Sequence, residues 1–174
     1  MEGIYTIDFE NTGVDPKTCE PVEVAVFNPT HQDNNCSWFI KPNNPIPPET
    51  SAVHHITDAD VESAPSWVEV RSTLAHNFTT NGQKLPILVA HNAEYEKSIL
   101  LRNPEGCADF PPVIWICTYK CALRVWPDAP AHRNEVLRYW LKLGTDRGRY
   151  AHQQPHSALH DCRVTYAILT ALLS

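Results

Sequence analysis

Gly3-Ile4-Tyr5-Thr6-Ile7-Asp8-Phe9-Glu10-Asn11-Thr12-Gly13 is the stretch on which the fold turns. Its first residues are apolar and β-branched, and Asn11-Thr12-Gly13 is a turn signal, so residues 3–9 read as a strand. Asp8 and Glu10 stand two apart and therefore point to the same face, roughly 7 Å apart at Cα. Acidic residues are poor strand formers, and a pair at the end of a central strand is costly without a compensating cation. Taken alone, the pair reads better as a solvated strand end.

Outward from that strand, Val22, Val24 and Val26 alternate through a second strand at 22–27, and residues 35–40 give a third. The chain thus opens as a β-meander. Four prolines between Pro42 and Pro48 require an irregular connection. Trp67, Val70, Leu74 and Phe78 recur at helical spacing, which predicts a helix over 65–78 starting near Ser63 or Ala64. A short buried strand at 86–90 ends at His91-Asn92 and leads into a helix over 93–101. Residues 113–117 read as another strand, 119–125 as a helix stopped by Pro127, and 132–143 as a helix with Gly144 at its C-terminal cap. A long helix over 157–173 closes the chain. Strands first, then alternating helices and strands, imply a mixed α/β sheet flanked by helices.

With 174 residues and neither repeat nor linker, the chain reads as a single domain, 1–174. Composition is ordinary for a globular protein, 43% hydrophobic and 20% charged. No apolar run approaches the roughly 20 residues that span a bilayer. The start lacks a signal peptide's basic flank and apolar stretch, so the expected location is cytoplasmic, away from membranes. The six cysteines form no CxxC pair and read as free thiols, since no second Cys/His pair accompanies Cys117 and Cys121 at zinc-finger spacing.

The net charge of −6 argues against a nucleic-acid partner only weakly, because distribution matters more than the sum. Half of the 14 basic residues fall between Lys120 and Arg149. Arg124, Arg133 and Arg138 could track phosphates there, with Trp126, Tyr139, Trp140 or Tyr150 available for stacking. A solvated helical face over core aromatics explains most of these residues as well.

In the last helix the apolar stripe runs through Val164, Ala167, Ile168, Ala171 and Leu172. Asp161 lies about 50° from its centre and faces inward, and His160 lies as close on the other side, so periodicity does not choose between them. An inward carboxylate needs a partner, and Mg²⁺ or Mn²⁺ would satisfy it. His156 stands just before that helix, where a loop could carry it over the site, and an imidazole exchanges a proton near neutrality.

Three segments together resemble the DEDDh 3′→5′ exonucleases. Their motif DxExTG stands here as Asp8-Phe9-Glu10-Asn11-Thr12-Gly13, HNAxFD as His91-Asn92-Ala93-Glu94-Tyr95-Glu96, and HxAxxD as His156-Ser157-Ala158-Leu159-His160-Asp161. Ala52-Val53-His54-His55-Ile56-Thr57, Trp115-Ile116-Cys117-Thr118-Tyr119-Lys120 and Trp126-Pro127 are similar to the exodeoxyribonuclease X group of that family. The resemblance implies a ribonuclease H-like three-layer fold with a five-stranded mixed sheet. It implies hydrolysis of DNA from the 3′ end to nucleoside 5′-monophosphates, with two Mg²⁺ or Mn²⁺ ions per site. Asp8, Glu10 and Asp161 would bind the metals, Glu96 would support the second ion, and His156 would be the general base. Thr12, Gly13, His91 and Asn92 would line the pocket for the terminal nucleotide. An RNA or oligoribonucleotide substrate, and a homodimer, are both compatible with the resemblance.

One position departs from the family, which has Asp where this chain has Glu96. The extra methylene moves the carboxylate by roughly 1.3–1.5 Å, a distance that matters in catalysis. Either the pocket has adjusted, giving a DEEDh set, or the chain is an impaired nucleic-acid-binding module. The other intact chemical positions favour adjustment.

Overall fold

Thr6, Asp8 and Glu10 alternate with Ile7 and Phe9 along β1 (Ile4–Asn11), and this period of two assigns the strand's faces. Ile7 and Phe9 enter one core, while Thr6, Asp8 and Glu10 look the other way. The computed structural model describes residues 3–30, 36–79, 84–105, 107–144 and 156–174. Among them β1 is the central strand of five. It pairs antiparallel with β2 (Pro21–Phe27), which pairs antiparallel with β3 (Cys36–Phe39). On its other side it pairs parallel with β4 (Ile87–Ala90), which pairs parallel with β5 (Ile114–Cys117), giving the order β3-β2-β1-β4-β5. This is the mixed sheet expected from the sequence.

The meander arises because short turns join antiparallel strands, and the parallel pairs need helical crossovers. Several details differ from expectation. β1 runs two residues further, through a bulge between Glu10 and Asn11 that bends its acidic end. A helix, α1 (Pro48–His54), follows the proline-rich connection, with Pro48 at its start, where a missing N–H costs nothing. In α2 (Trp67–Asn77) the cap is Ser66 rather than Ser63 or Ala64. Its hydroxyl accepts from the Glu69 N–H while the Glu69 carboxylate accepts from the Ser66 N–H.

On one face of the sheet, Ile7, Phe9, Leu88 and Ala90 pack with Val70, Leu74 and Phe78 of the α2 region and with Ile99 and Leu100 of α3 (Ala93–Leu101). Arg71 is buried there, donating from Nε to the Leu100 carbonyl at 3.0 Å and from Nη1 to Ala108 at 2.9 Å. The opposite face carries α6 (Ala158–Leu172), whose Ile168 and Val164 pack against Ala122 of α4 (Thr118–Val125) and Leu137 of α5 (Asn134–Trp140). α5 is shorter than expected: its cap is Leu141 rather than Gly144, and in the turn that follows Lys142 and Gly144 both take left-handed φ values, 57° and 59°.

Two contacts seat α6 on the strands. The Thr6 hydroxyl donates to the Cys162 carbonyl at 2.9 Å, and the Cys162 thiol donates to the Ala25 carbonyl at 3.3 Å. All six cysteines are free thiols. No helix among the described residues is long and apolar enough to cross a membrane.

Ile168 is fully buried where α4, α5 and α6 meet. Ile168→Ala should lower the unfolding free energy by about 2–5 kcal/mol, through lost apolar burial and the remaining cavity. Urea denaturation with an unchanged slope checks this.

Candidate active site

Asp8 and Glu10 project from the carboxyl end of β1 toward the first turn of α6, where Asp161 meets them. One carboxylate oxygen from each lies within 4.8 Å of the other two. Three separate choices of the chain produce this convergence. The alternation of β1 puts the first two side chains on the α6 face, the Thr6 and Cys162 bonds hold α6 over it, and helical phase turns Asp161 down. His160, left open by periodicity, is 1% exposed and packs beside the cluster instead. Its Nε2 lies 2.8 Å from Oε1 of Glu135, which Arg138 also engages at 3.0 Å. Those contacts hold the Glu135 carboxyl below the usual range, the His160 hydrogen bond being the largest cause.

Burial and mutual repulsion reshape the acids. Burial first, then Asp161, Glu10, Glu96 and Glu23, push Asp8 well above the ordinary range. Glu10 rises to about 9 through burial, Asp161 and Glu23. Asp161 rises only to about 6, because burial is opposed by His160 and His156. Glu96 arrives from α3, on the other layer, and stands outside the 4.8 Å group. It is 5% exposed, its Oε2 has no hydrogen-bond partner among the described residues, and burial lifts it to about 8.

Hard oxygen donors crowded together without internal cations, with one buried oxygen unpartnered beside them, fit a divalent cation such as Mg²⁺ or Mn²⁺. A second group of possible ligands, Glu135, His160 and Asp161, shares one residue with the first. Glu135 there is already neutralised by Arg138.

His156 is exposed, at φ 63°, one residue before Ser157, the N-cap of α6. Histidine is among the residues that tolerate this left-handed conformation, and here it reverses the chain beside Asp161. Asn92 makes a comparable turn at φ 80° between β4 and α3. Asn92 is exposed and its side chain makes no cap bond, which leaves the amide without a partner among the described residues and available to a ligand.

His91 is differently placed. Its Nε2 lies 2.6 Å from the His132 carbonyl and its Nδ1 2.9 Å from the Thr118 hydroxyl, so both ring nitrogens are engaged within the protein. Burial lowers its pKa, which keeps Nε2–H as the donor to that carbonyl and Nδ1 as an acceptor. Thr12 and Gly13 lie in the turn after β1. The Thr12 hydroxyl accepts from the Glu20 N–H at 2.9 Å, and the Tyr95 hydroxyl donates to the Gly13 carbonyl at 2.9 Å. Val14, which sequence reasoning passed over, stands 91% exposed immediately beyond. Only its hydrophobicity beside a predicted turn could have signalled it.

The basic stretch divides. Arg138 is buried against Glu135 and Lys120 pairs with Glu94 at 3.3 Å, whereas Arg124 and Arg133 are exposed. Trp126 packs into the α4–α5–α6 core, and Tyr139 and Trp140 are exposed. Arg147, Arg149 and Tyr150 lie outside the described residues.

Comparisons with known proteins agree with this geometry. The RNase_T family model, described as Exonuclease, matches residues 6–169. Exodeoxyribonuclease 10 of Escherichia coli K12 is 32% identical over 168 residues, covering 97% of this chain and 67% of the relative. DNA polymerase III subunit epsilon of Treponema pallidum is 26% identical over 170 residues, covering 96% and 74%. A solved structure of exonuclease X in complex with 5′ overhanging duplex DNA superposes with a TM-score of 0.73 at 31% identity, covering 98% of this chain and 90% of that one. The nuclease domain of 3′hExo, a DEDDh family member bound to rAMP, shares the fold at 18% identity, with a TM-score of 0.72 and coverage of 98% and 90%.

Each raised carboxyl holds its proton more tightly folded than unfolded. Their contribution to stability is therefore complete below their unfolded values, near pH 4, and is lost as pH rises through about 6 for Asp161, 8 for Glu96 and 9 for Glu10. In EDTA the thermal midpoint should fall between about pH 5 and about pH 9. Mn²⁺ should restore it most at the alkaline end, by about 2.7 kcal/mol at a hundredfold excess over its Kd. Calorimetry across that range with and without Mn²⁺ checks this, and equal curves would count against a cation site.

Proposed function

The chain belongs to the RNase_T exonuclease family, and from that premise we propose that residues 1–174 form one exonuclease domain, removing nucleotides from the 3′ end of DNA. The observation that carries the reading is the meeting of Asp8, Glu10 and Asp161 within 4.8 Å at the end of the central strand. Those three carboxylates would hold two divalent ions, Mg²⁺ or Mn²⁺, with Glu96 supporting the second from the opposite layer. Ions bound there would lower the pKa of an attacking water and stabilise the charge on the departing 3′ oxygen.

The protein's own groups do the rest. His156, at the exposed turn before α6, takes the proton of the attacking water on a ring nitrogen. The water oxygen bonds to phosphorus as the bond to the 3′ oxygen breaks, releasing a nucleoside 5′-monophosphate. The backbone of Thr12 and Gly13, held by Glu20 and Tyr95, and the amide of Asn92 bind the terminal nucleotide. Val14 offers an apolar contact to a base. His91 acts indirectly, clipping the Asn92 turn to the segment before α5. Among the described residues, Arg124, Arg133 and Lys142 are exposed cations of the basic stretch left to meet backbone phosphates. A DNA substrate is supported by the relative named exodeoxyribonuclease and by the DNA-bound exonuclease X structure.

Pure protein with Mg²⁺ or Mn²⁺ should shorten 5′-labelled oligonucleotides stepwise, faster on DNA than on matched RNA. EDTA should stop the reaction, and Asp8→Ala should slow it by on the order of 10³-fold, the loss of several kcal/mol of charge stabilisation. Release of label from the 5′ end first, or equal rates for Asp8→Ala and the parent, would sink the reading.

If the pocket has adjusted to its longer side chain, Glu96→Asp withdraws the carboxylate by roughly 1.3–1.5 Å and lowers kcat by up to about 10²-fold. A large gain in activity over a nearly silent parent would instead mark the chain as an impaired nuclease.

A further inference from the structure

A further acid stands beside the cluster without belonging to any of the three motifs. Glu23 lies on β2, 6% exposed, directly across the ladder from Glu10. Like charges directly opposite each other across a strand pair are destabilising. The charge of Glu23 indeed contributes to raising Asp8, Glu10 and Asp161. An apolar side chain here would relieve that repulsion and suit the burial, so the acid needs a reason to be present.

Its two oxygens supply one. The Ser37 hydroxyl on β3 donates to Oε1, and the backbone N–H of Ala158 donates to Oε2 at 3.0 Å. Ala158 is the first residue of α6, so its N–H has no partner within the helix. The Ser157 side chain, which caps the same helix, is occupied with the His160 N–H at 3.4 Å. Glu23 therefore completes the cap from a neighbouring strand, and its negative charge suits the positive end of the helix.

Ala158 stands two residues after His156 and three before Asp161, and the bond from Glu23 fixes the point between them. We propose that Glu23 is a positioning residue, setting the height of the α6 N-terminus above β1 and so the placement of His156 and Asp161 relative to Asp8 and Glu10. The inference rests on the exonuclease reading for its catalytic consequence. With both oxygens engaged, Glu23 acts through α6 rather than as a further ligand. The Thr6 and Cys162 bonds hold the helix one turn further along. Losing Glu23 thus loosens the first turn while α6 stays docked.

Two variants of similar shape separate the hydrogen bond from the charge. Glu23→Gln keeps an acceptor for the Ala158 N–H and a group to pair with Ser37, whereas Glu23→Met keeps neither. With Mn²⁺ saturating, Glu23→Met should lower kcat on labelled single-stranded DNA by about 10²-fold with KM little changed, as a displacement of about 1 Å would. Amide hydrogen exchange at Ala158 should be roughly tenfold faster in that variant, and Glu23→Gln should stay close to the parent in both readouts. Should Glu23→Met not fold, Ser37→Ala gives a smaller loss of kcat in the same direction.

A Met variant with parental kcat and parental protection of Ala158 overturns the proposal. So does a Gln variant as slow as Met, because charge would then be the operative feature. A parent without nuclease activity overturns the functional reading alone. In that case the exchange measurement still decides whether Glu23 holds the helix.

Discussion

Three carboxylates confined within 4.8 Å at the end of a central strand are the constraint on which the rest of the structure depends. Burial disfavours their charged forms, and the charge of Asp161 raises both Asp8 and Glu10, so the arrangement opposes folding unless a cation or protons neutralise it. The surrounding scaffold must then be stable on its own account. It is: three separate apolar clusters border the site, built on the α2–α3 face, on the α4–α5–α6 face and where α6 meets Ala25 and Phe27.

The elements that bring the acids together are held by polar contacts as specific as the acids themselves. α6 is seated by Thr6, by its own Cys162 and by Glu23. The turn after β1 is closed by Thr12, Tyr95 and Arg102, the last reaching the Cys19 carbonyl at 2.5 Å. His91 and Thr118 bind the start of α4 and the segment before α5 to the end of β4. Two residues in the left-handed conformation, Asn92 and His156, mark where the chain reverses to enter the site. Backbone of that kind persists where neighbouring contacts hold it, and it concentrates at functional sites.

Charge is distributed to the same end. The chain carries a net −6, yet Asp8, Glu10, Glu23, Glu96 and Asp161 gather at the site and some cations are spent on structure. Arg71 serves two buried carbonyls and Arg138 serves Glu135. The surface left for a phosphate backbone is therefore smaller than a count of basic residues implies. Arg124, Arg133 and Lys142 remain exposed on the α4–α5 side, as do Tyr139 and Trp140.

Much of this was legible in the linear chain. The alternation of β1 and β2, the helical stripes of α2 and α6, and the order of strands and helices follow from local periodicity, which the sequence displays directly. The motif spacing picked out Asp8, Glu10, Glu96, His156 and Asp161, because residue types and intervals survive in one dimension. Contacts between residues far apart in the chain left no such trace. Helical periodicity did not distinguish His160 from Asp161 on the inner face of α6, since both lie near the apolar stripe. Only packing against Glu135 sends the histidine one way and the aspartate the other. Arg138 read as a phosphate-tracking cation until burial paired it, and Glu23 read as one acid among 20 until the ladder set it opposite Glu10 and beneath Ala158. Local sequence determines which faces a strand or helix presents. Which faces meet, and which charges must share one volume, is decided by the tertiary packing, because burial and repulsion act between groups more than a hundred residues apart.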